Sequence, residues 1–465
     1  MIQFFNTLSG RKEPFAPLEP GHVKLYTCGP TVYDYSHIGN FRSYIFEDLL
    51  KRFLKFQGYQ VIHVMNITDV DDKTIRGASA KAVALSEFTR EYVQAFFADA
   101  ETLHISPADH YPRATEHIPD MVRIIQGLLE KGIAYRKDGS VYFSIARFPG
   151  YGKLSKIDLA ELRTSDRIES DEYEKESAQD FALWKAPKEG EPYWESDIGP
   201  GRPGWHIECS AMSAKYLGPT FDIHCGGVDN IFPHHENEIA QSEAYWGRPF
   251  VTTWLHGHHL IVDGEKMAKS KGNFFTLRDL VEKKQADPMA IRYLLLSTHY
   301  RKVLNFTFEA LEQAEAALRR IKDFLYELDN RAFPTGQNPE TAPLLAETRR
   351  RFSEGLGDDL NISLALTALF EMIKKVNLLI KDEKLRAEDA RKAAAFIQEL
   401  DAVLAVLPPK RDARIAPQLA KKIEEREQAR KDRNFALADK LRRELADSGV
   451  VLEDTKDGVR WKISK

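Results

Sequence analysis

Strand, turn, helix and strand follow one another within the first 70 residues, and that order leaves few folds open. Val23-Lys-Leu-Tyr26 reads as a short apolar strand. Cys28-Gly-Pro-Thr-Val-Tyr-Asp-Tyr-Ser-His37-Ile-Gly-Asn40 turns out of it, Phe41–Gly58 has helical periodicity, and Tyr59–Val64 is a β-rich run. Two strands joined through a helix pair in parallel with a right-handed crossover, and ligands of such sheets sit at the carboxyl ends of the strands. The Cys28 turn and the loop Asn66-Ile-Thr-Asp-Val-Asp-Asp-Lys73 therefore fall side by side at one sheet edge. Such a turn presents backbone N–H groups and a helix N-terminus to phosphate. His37 adds two imidazole nitrogens as donors, and Gly39 admits a close approach to the backbone. Cys28 is not something nucleotide binding requires. It asks for a second ligand, one that favours sulfur or a metal.

The same α/β pattern resumes much later. A helix is predicted over His206–Tyr216, a strand over Thr220–Cys225, a helix over Pro233–Tyr245 and a strand near Trp254, so an insertion of about a hundred residues splits the sheet domain. Within it, residues 80–135 read as mainly helical and 140–200 as mixed and turn-rich. From Leu277 helices dominate, with amphipathic periodicity over Glu309–Leu328 and Ile362–Ile380 and a loop over Arg331–Ala342. Pro408-Pro409-Lys410-Arg411 reads as a linker, Ala416–Leu445 as one charged helical segment, and Val450–Ile463 as a hairpin. A length of 465 residues predicts about three domains. No apolar run approaches the roughly 18 residues of a membrane helix, and the N-terminus lacks a signal-peptide pattern, so a cytoplasmic location and no membrane partner are expected.

Three cysteines, Cys28, Cys209 and Cys225, are too few and too scattered for a disulfide framework. His234 and Glu238 lie four apart at a predicted helix start and share a face. With Cys28 and Cys209 they make two thiolates, an imidazole and a carboxylate, a set suited to zinc. From spacing alone, a helix-capping His234 and a core-packed Cys209 remain open and are the more ordinary reading. A zinc protease is excluded, because Ile239 stands where His235-Glu236-x-x needs its second histidine. Lys266-Met-Ala-Lys-Ser270 can wrap a polyphosphate, with ammonium groups placed where charge develops. Asp229, after the strand end Cys225-Gly-Gly-Val, is placed to bind ribose hydroxyls. Asp69, Asp71 and Asp72 do not fit a calcium loop and read as solvated loop residues with a nucleotide-side role. Residues 410–465 carry 16 Lys+Arg against 11 Asp+Glu, while the remainder carries 50 against 59. That asymmetry is compatible with polyanion contact at the tail or with a salt-bridged solvated helix.

In combination these motifs resemble class I aminoacyl-tRNA synthetases, and cysteinyl-tRNA synthetases in particular, over essentially the whole chain. His37-Ile-Gly-Asn40 resembles the His-Ile-Gly-His signature, and Lys266-Met-Ala-Lys-Ser270 the Lys-Met-Ser-Lys-Ser signature. The cysteine-specific marks are Cys28-Gly-Pro-Thr-Val-Tyr-Asp, Asn66-Ile-Thr-Asp-Val-Asp-Asp-Lys, Trp205-His-Ile-Glu-Cys-Ser and Phe221-Asp-Ile-His-Cys-Gly-Gly-Val-Asp…Phe-Pro-His-His-Glu-Asn-Glu238. Asn40 keeps a hydrogen-bonding side chain without charge, and Ala268 removes a hydroxyl while both lysines remain.

The resemblance implies a split Rossmann-type parallel-sheet catalytic domain with an insertion, then an α-helical bundle and a small C-terminal anticodon-binding module. The expected boundaries are 1–95 and 201–276 for the catalytic halves, 96–200 for the insertion, 277–310 for a stem-contact region, 311–407 for the bundle and 408–465 for the module. It implies one Zn2+ held by Cys28, Cys209, His234 and Glu238. His37, Asn40, Lys266 and Lys269 would stabilise phosphate charge, with ATP as substrate carrying Mg2+ and held by Gly39, Asp229, Lys269 and Ser270. Thr68, Trp205 and His224 would line the amino-acid pocket, and Arg430, Asp439 and Asp454 would read anticodon bases of tRNA(Cys). Phe435 stands where a tryptophan is expected. The implied reaction is ligation of L-cysteine to tRNA(Cys) through a cysteinyl-adenylate by a monomer without an editing domain. A related ligase joining cysteine to an amino-sugar should lack the tail module, and a non-catalytic RNA-binding paralogue should not keep both lysines and all four ligands.

Overall fold

His22–Thr27 and Gln60–Met65 pair in parallel, Val23 opposite Val61 and Thr27 opposite Met65, with the helix Ile38–Phe56 as their crossover. This computed structural model describes residues 1–157, 180–407, 417–448, 450–455 and 458–463. Among the described residues the parallel sheet runs Val251–Gly257, Phe221–Gly227, His22–Thr27, Gln60–Met65 in spatial order. Val23, Leu25, Ile223 and Leu255 are fully buried, as strands covered on both faces require. The carboxyl ends deliver Cys28, Asn66, Val228 and His258 to one edge, which is where the site forms.

The chain divides into two units, residues 1–407 and 408–465. In the first, the described part of the insertion carries regular structure. Ala134–Lys137, Ser140–Phe143, Phe181–Lys185 and Arg202–Pro203 form an antiparallel sheet in that order. Its core of Val141, Phe143, Leu183 and Trp184 continues into Ile207, Ala211 and Met212 of the helix Trp205–Leu217. The helices Phe308–Asn330, Thr341–Gly357, Ile362–Lys381 and Ala387–Leu404 share one apolar core with the parallel sheet. A buried ion pair fastens the two regions: Arg292 donates to Asp48 at 2.6 Å and to the carbonyls of Leu103 and Leu404 at 2.9 and 2.8 Å. The Arg292 and Asp48 side chains are 0% and 1% exposed.

Two expected helices are reshaped. The segment expected as a helix over Pro233–Tyr245 begins as a wide turn, Ile231–His235, and is regular only over Glu236–Trp246. Phe232 is extended there, so the turn re-aims His234 and His235 before the helix settles. The tail segment breaks into Pro417–Lys431 and Phe435–Asp447, because Arg433 is left-handed at φ 57° and Asn434 caps the second helix by accepting from Leu437 N–H. Val450–Thr455 and Gly458–Ile463 then pair antiparallel, as the hairpin reading expects. The proposed linker Pro408–Arg411 lies outside the described residues. No described helix is long and apolar enough to cross a membrane.

Candidate metal centre and nucleotide site

The first strand hands over to its turn at Cys28, whose N–H reaches Cys225 O at 3.4 Å. Gly29 follows, and a Cβ there would lie 1.7 Å from the Asn66 carbonyl oxygen, so only glycine fits. Asn66 accepts from Gly29 N–H at 3.0 Å and donates to Thr68 Oγ1 at 3.1 Å. One side chain thus locks the two loops together, and Thr31 and Thr68 bridge their backbones. Sequence reasoning gave Asn66 no role, although it heads a motif.

His37 sits at the N-cap of the Ile38–Phe56 helix. Its Nδ1 accepts from the N–H groups of Gly39 and Asn40 at 3.1 and 3.3 Å, while Asn40 Oδ1 accepts from His37 N–H at 3.1 Å. This revises the expectation of two outward donors. Nδ1 is an acceptor committed to the helix, so the ring proton belongs on Nε2, which has no hydrogen-bond partner among the described residues. Asn40 likewise closes the cap with its oxygen and keeps only its amide N–H groups for a ligand. Burial holds the His37 pKa below the ordinary imidazole value, with Asp229 and Asp34 opposing. The ring is therefore neutral at pH 7.

The metal-type cluster lies on the Cys28 side of that turn. Ligand atoms of Cys28, His234, His235 and Glu238 all fall within 4.8 Å of one another. Cys28 Sγ is 3.3 Å from His235 Nε2, His234 Nε2 is 3.1 Å from Glu238 Oε1, and Cys209 Sγ is 3.5 Å from His234 Nε2. The thiols of Cys28 and Cys209 face each other. The four expected ligands thus come together, and His235, which the sequence reading did not include, makes a fifth donor. His235 Nδ1 is tied to His256 Nε2 at 2.8 Å, and His256 Nδ1 meets Thr7 Oγ1 at 2.7 Å.

Glu238 Oε1 is buried and makes no hydrogen bond. Burial pushes the Glu238 carboxyl up to about 8 and the His234 imidazole down to about 3. The Cys28 thiol is pushed up by its hydrogen bond with Cys209 and by burial. Two thiols, two imidazoles and one carboxylate converge here, with a carboxylate oxygen that makes no hydrogen bond, and a divalent cation with N, S and O ligands fits that donor set.

Around this cluster, Trp205 stacks on His234 with ring centroids 4.2 Å apart. Thr68 is buried beneath the Cys28 turn. His224 is fully buried, 3.0 Å from Glu238 Oε2 and stacked on Trp254. The solvated-loop reading of three aspartates gives way to architecture. Asp69 accepts from Thr115 N–H and Oγ1, Asp71 caps the helix Asp72–Lys81, and Asp72 pairs with Lys185 and Arg202.

Lys266-Met-Ala-Lys-Ser270 lies over the His37 turn. A Cβ on Gly39 would come within 2.9 Å of Met267 Cε, and the rings of His37 and Phe274 meet edge-on at 5.1 Å. Asn273 pins the loop, accepting from Ala268 N–H at 2.9 Å and donating to Lys266 O at 3.3 Å. Lys269 Nζ donates to Asp34 at 2.6 Å, a partner no motif announced. Lys266 and Ser270 are near this turn, partly or fully exposed. Asp229 stands just past the strand Phe221–Gly227, its carboxylate over Gly227, where a Cβ would be 2.3 Å away.

In the second unit, Arg430 lies in the last turn of Pro417–Lys431, Asp439 is exposed on Phe435–Asp447, and Asp454 lies in the hairpin strand opposite Val459. Phe435 is 61% exposed at a helix start.

Comparison with known proteins bears on these features. Residues 14–316 match the family described as tRNA synthetases class I (C) catalytic domain, 351–408 a DALR domain, and 417–461 a Cysteinyl-tRNA ligase anticodon binding domain. The chain is 51% identical to Cysteine–tRNA ligase of Chlamydia pneumoniae over 467 residues, 99% of this chain and 98% of the relative. It is 49% identical to that of Leptospira interrogans serogroup Icterohaemorrhagiae serovar Lai (strain 56601) over 471 residues, 99% of both. Among solved structures, Mycobacterium tuberculosis methionyl-tRNA synthetase in complex with methionyl-adenylate is similar in fold, with a TM-score of 0.59 and 18% identity over 83% of this chain and 90% of that one.

Proposed function

This chain belongs to the cysteine–tRNA ligase family of class I aminoacyl-tRNA synthetases, and on that premise we propose that it ligates L-cysteine to tRNA(Cys) using a metal centre to select the amino acid. The observation that carries the reading is the cluster of Cys28, His234, His235 and Glu238 ligand atoms within 4.8 Å of one another, with Cys209 Sγ 3.5 Å from His234 Nε2 and a Glu238 oxygen that makes no hydrogen bond. Cys28, Cys209, His234 and Glu238 would hold Zn2+, with His235 supporting Cys28. When bound, Zn2+ supplies a soft Lewis acid that takes a thiolate in preference to a serine hydroxyl.

The residues of the chain carry the rest. Trp205 and Thr68 confine the amino acid between the cluster and the His37 turn. The cysteine carboxylate oxygen attacks the α-phosphorus of ATP, the bond to the bridging oxygen breaks, and pyrophosphate leaves with its Mg2+. His37 Nε2–H, the Asn40 amide and the Lys266 and Lys269 ammonium groups oppose the charge that develops there. Gly39 and Ser270 lie close to the polyphosphate, and Asp229 accepts from the ribose. In the second step the 2′-hydroxyl of the terminal tRNA ribose attacks the adenylate carbonyl and AMP departs. None of these residues serves as a covalent nucleophile.

Cysteine and serine differ by one atom, a difference that pocket shape discriminates poorly. Selection by sulfur coordination would make a separate hydrolytic domain unnecessary. Residues 408–465 would read the anticodon through Arg430, Asp439 and Asp454, with Phe435 offering a stacking face. The enzyme would act as a cytoplasmic monomer, with the domain boundaries set out above. The test is tRNA charging with cysteine against serine, with and without a zinc chelator. Cysteine charging that survives complete metal removal with discrimination intact would overturn the metal part of the reading.

A further inference from the structure

Lys269, one of the two signature lysines, is already occupied. Its ammonium donates to Asp34 at 2.6 Å and lies 5.3 Å above the Phe274 ring. Asp34 is three residues before His37 in the same turn, and its other oxygen accepts from Tyr35 N–H at 2.8 Å, so the carboxylate is held to its own loop. Phe274 meets the His37 ring edge-on at 5.1 Å. Asn273 and Met267 brace the lysine segment against the same turn. The result is one bridge between the two signature segments, made of opposite charges at a place where polyphosphate must enter.

We propose that Asp34 is a positioning residue that parks Lys269 over the His37 turn, and that ATP binding exchanges the Asp34–Lys269 pair for a phosphate–Lys269 pair. The inference rests on the adenylation reading above. An ammonium has three donors, but the compact pair with Asp34 directs it toward the turn and places a fixed negative charge beside the incoming phosphates. Binding therefore requires the lysine to leave a partner, and that requirement lowers apparent ATP affinity. The side chains are 69% and 35% exposed, so the pair is weak. Exposed pairs couple by about 0.2–1 kcal/mol, which corresponds to about 1.4- to 5-fold in binding.

The experiment is cysteine-dependent ATP–pyrophosphate exchange by the full chain, comparing wild type, Asp34→Asn, Lys269→Met and the double variant. Asp34→Asn should lower the ATP KM about two- to fivefold, with the difference shrinking in high salt as the exposed pair is screened. In the Lys269→Met background the same substitution should lower the ATP KM by less, because only the repulsion between Asp34 and phosphate is then relieved. An unchanged or raised KM in Asp34→Asn, or an equal effect with and without Lys269, overturns the inference while the adenylation reading stands. Absence of exchange in the wild type overturns the adenylation reading itself. If Asp34→Asn does not fold, Asp34→Ser carries the same comparison, because the serine hydroxyl can still accept from Tyr35 N–H.

Discussion

His37 is engaged twice, and the two engagements can be separated. Its Nδ1 caps the Ile38–Phe56 helix through two N–H groups at 3.1 and 3.3 Å, while Nε2 points away with no partner among the described residues. His37→Ala removes both functions. His37→Asn keeps the cap, because an asparagine oxygen replaces Nδ1 and Asn is among the best N-caps, but it removes the Nε2–H donor from its place. An N-cap of this kind contributes about 1 kcal/mol, within a range of about 0.5–2 kcal/mol. The two long, shared bonds place His37 in the middle of that range. A donor aimed at developing charge contributes about 2.7–4 kcal/mol, or roughly 10²–10³ in kcat. Urea unfolding followed by tryptophan fluorescence should therefore show His37→Ala less stable by about 1 kcal/mol and His37→Asn close to wild type. ATP–pyrophosphate exchange should fall about 10²- to 10³-fold in both. Recovery of near wild-type exchange in His37→Asn would refute the reasoning, since the histidine would then act only by holding the helix. The pH dependence adds a sign. Burial depresses the folded pKa below 6.5, so between that folded value and about 6.5 the unfolded chain binds more protons. This contribution to stability is fully present above about pH 6.5 and is lost as pH falls through the folded value.

Cys209→Ser should release the metal and raise the cysteine KM far more than the ATP KM, measured by metal analysis alongside exchange kinetics; unchanged cysteine affinity in metal-free protein would contradict selection by coordination. Arg292→Met should cost about 3–5 kcal/mol by leaving Asp48 buried with one fewer cation, and a double-mutant cycle with Asp48→Asn should show strong coupling in urea unfolding. Asp48 is held below its ordinary carboxyl value because Arg292 and Arg52 outweigh its burial. The gap between wild type and Asp48→Asn should therefore be full above about pH 4 and close as pH falls below it. Truncation after Leu407 should spare pyrophosphate exchange and reduce tRNA charging, measured with radiolabelled cysteine; equal loss of both would make residues 408–465 a folding requirement.

Local pattern determined a good deal by itself. Strand–turn–helix–strand order required parallel pairing of His22–Thr27 with Gln60–Met65 and set the Cys28 turn beside Thr68, because period-2 and period-3.6 patterns and crossover handedness are properties of contiguous chain. The same pattern, resuming at Trp205, disclosed the split sheet, and the motifs disclosed the family. Tertiary structure decided what depends on approach between segments far apart in sequence. Cys28 and His235 are 207 residues apart and Lys269 and Asp34 are 235 apart; no spacing rule reaches across such intervals. The wide Ile231–His235 turn brings a second imidazole to the Cys28–Glu238 cluster, which helical periodicity alone does not show. The contacts of His224 with Glu238 and Trp254 were likewise beyond reach of local pattern. Asp71 and Asp72 looked like loop charges until a helix N-terminus and the buried cations Lys185 and Arg202 claimed them. The hydrogen-bond direction at His37 was equally hidden, because an imidazole's role is set by which N–H groups the fold aims at it.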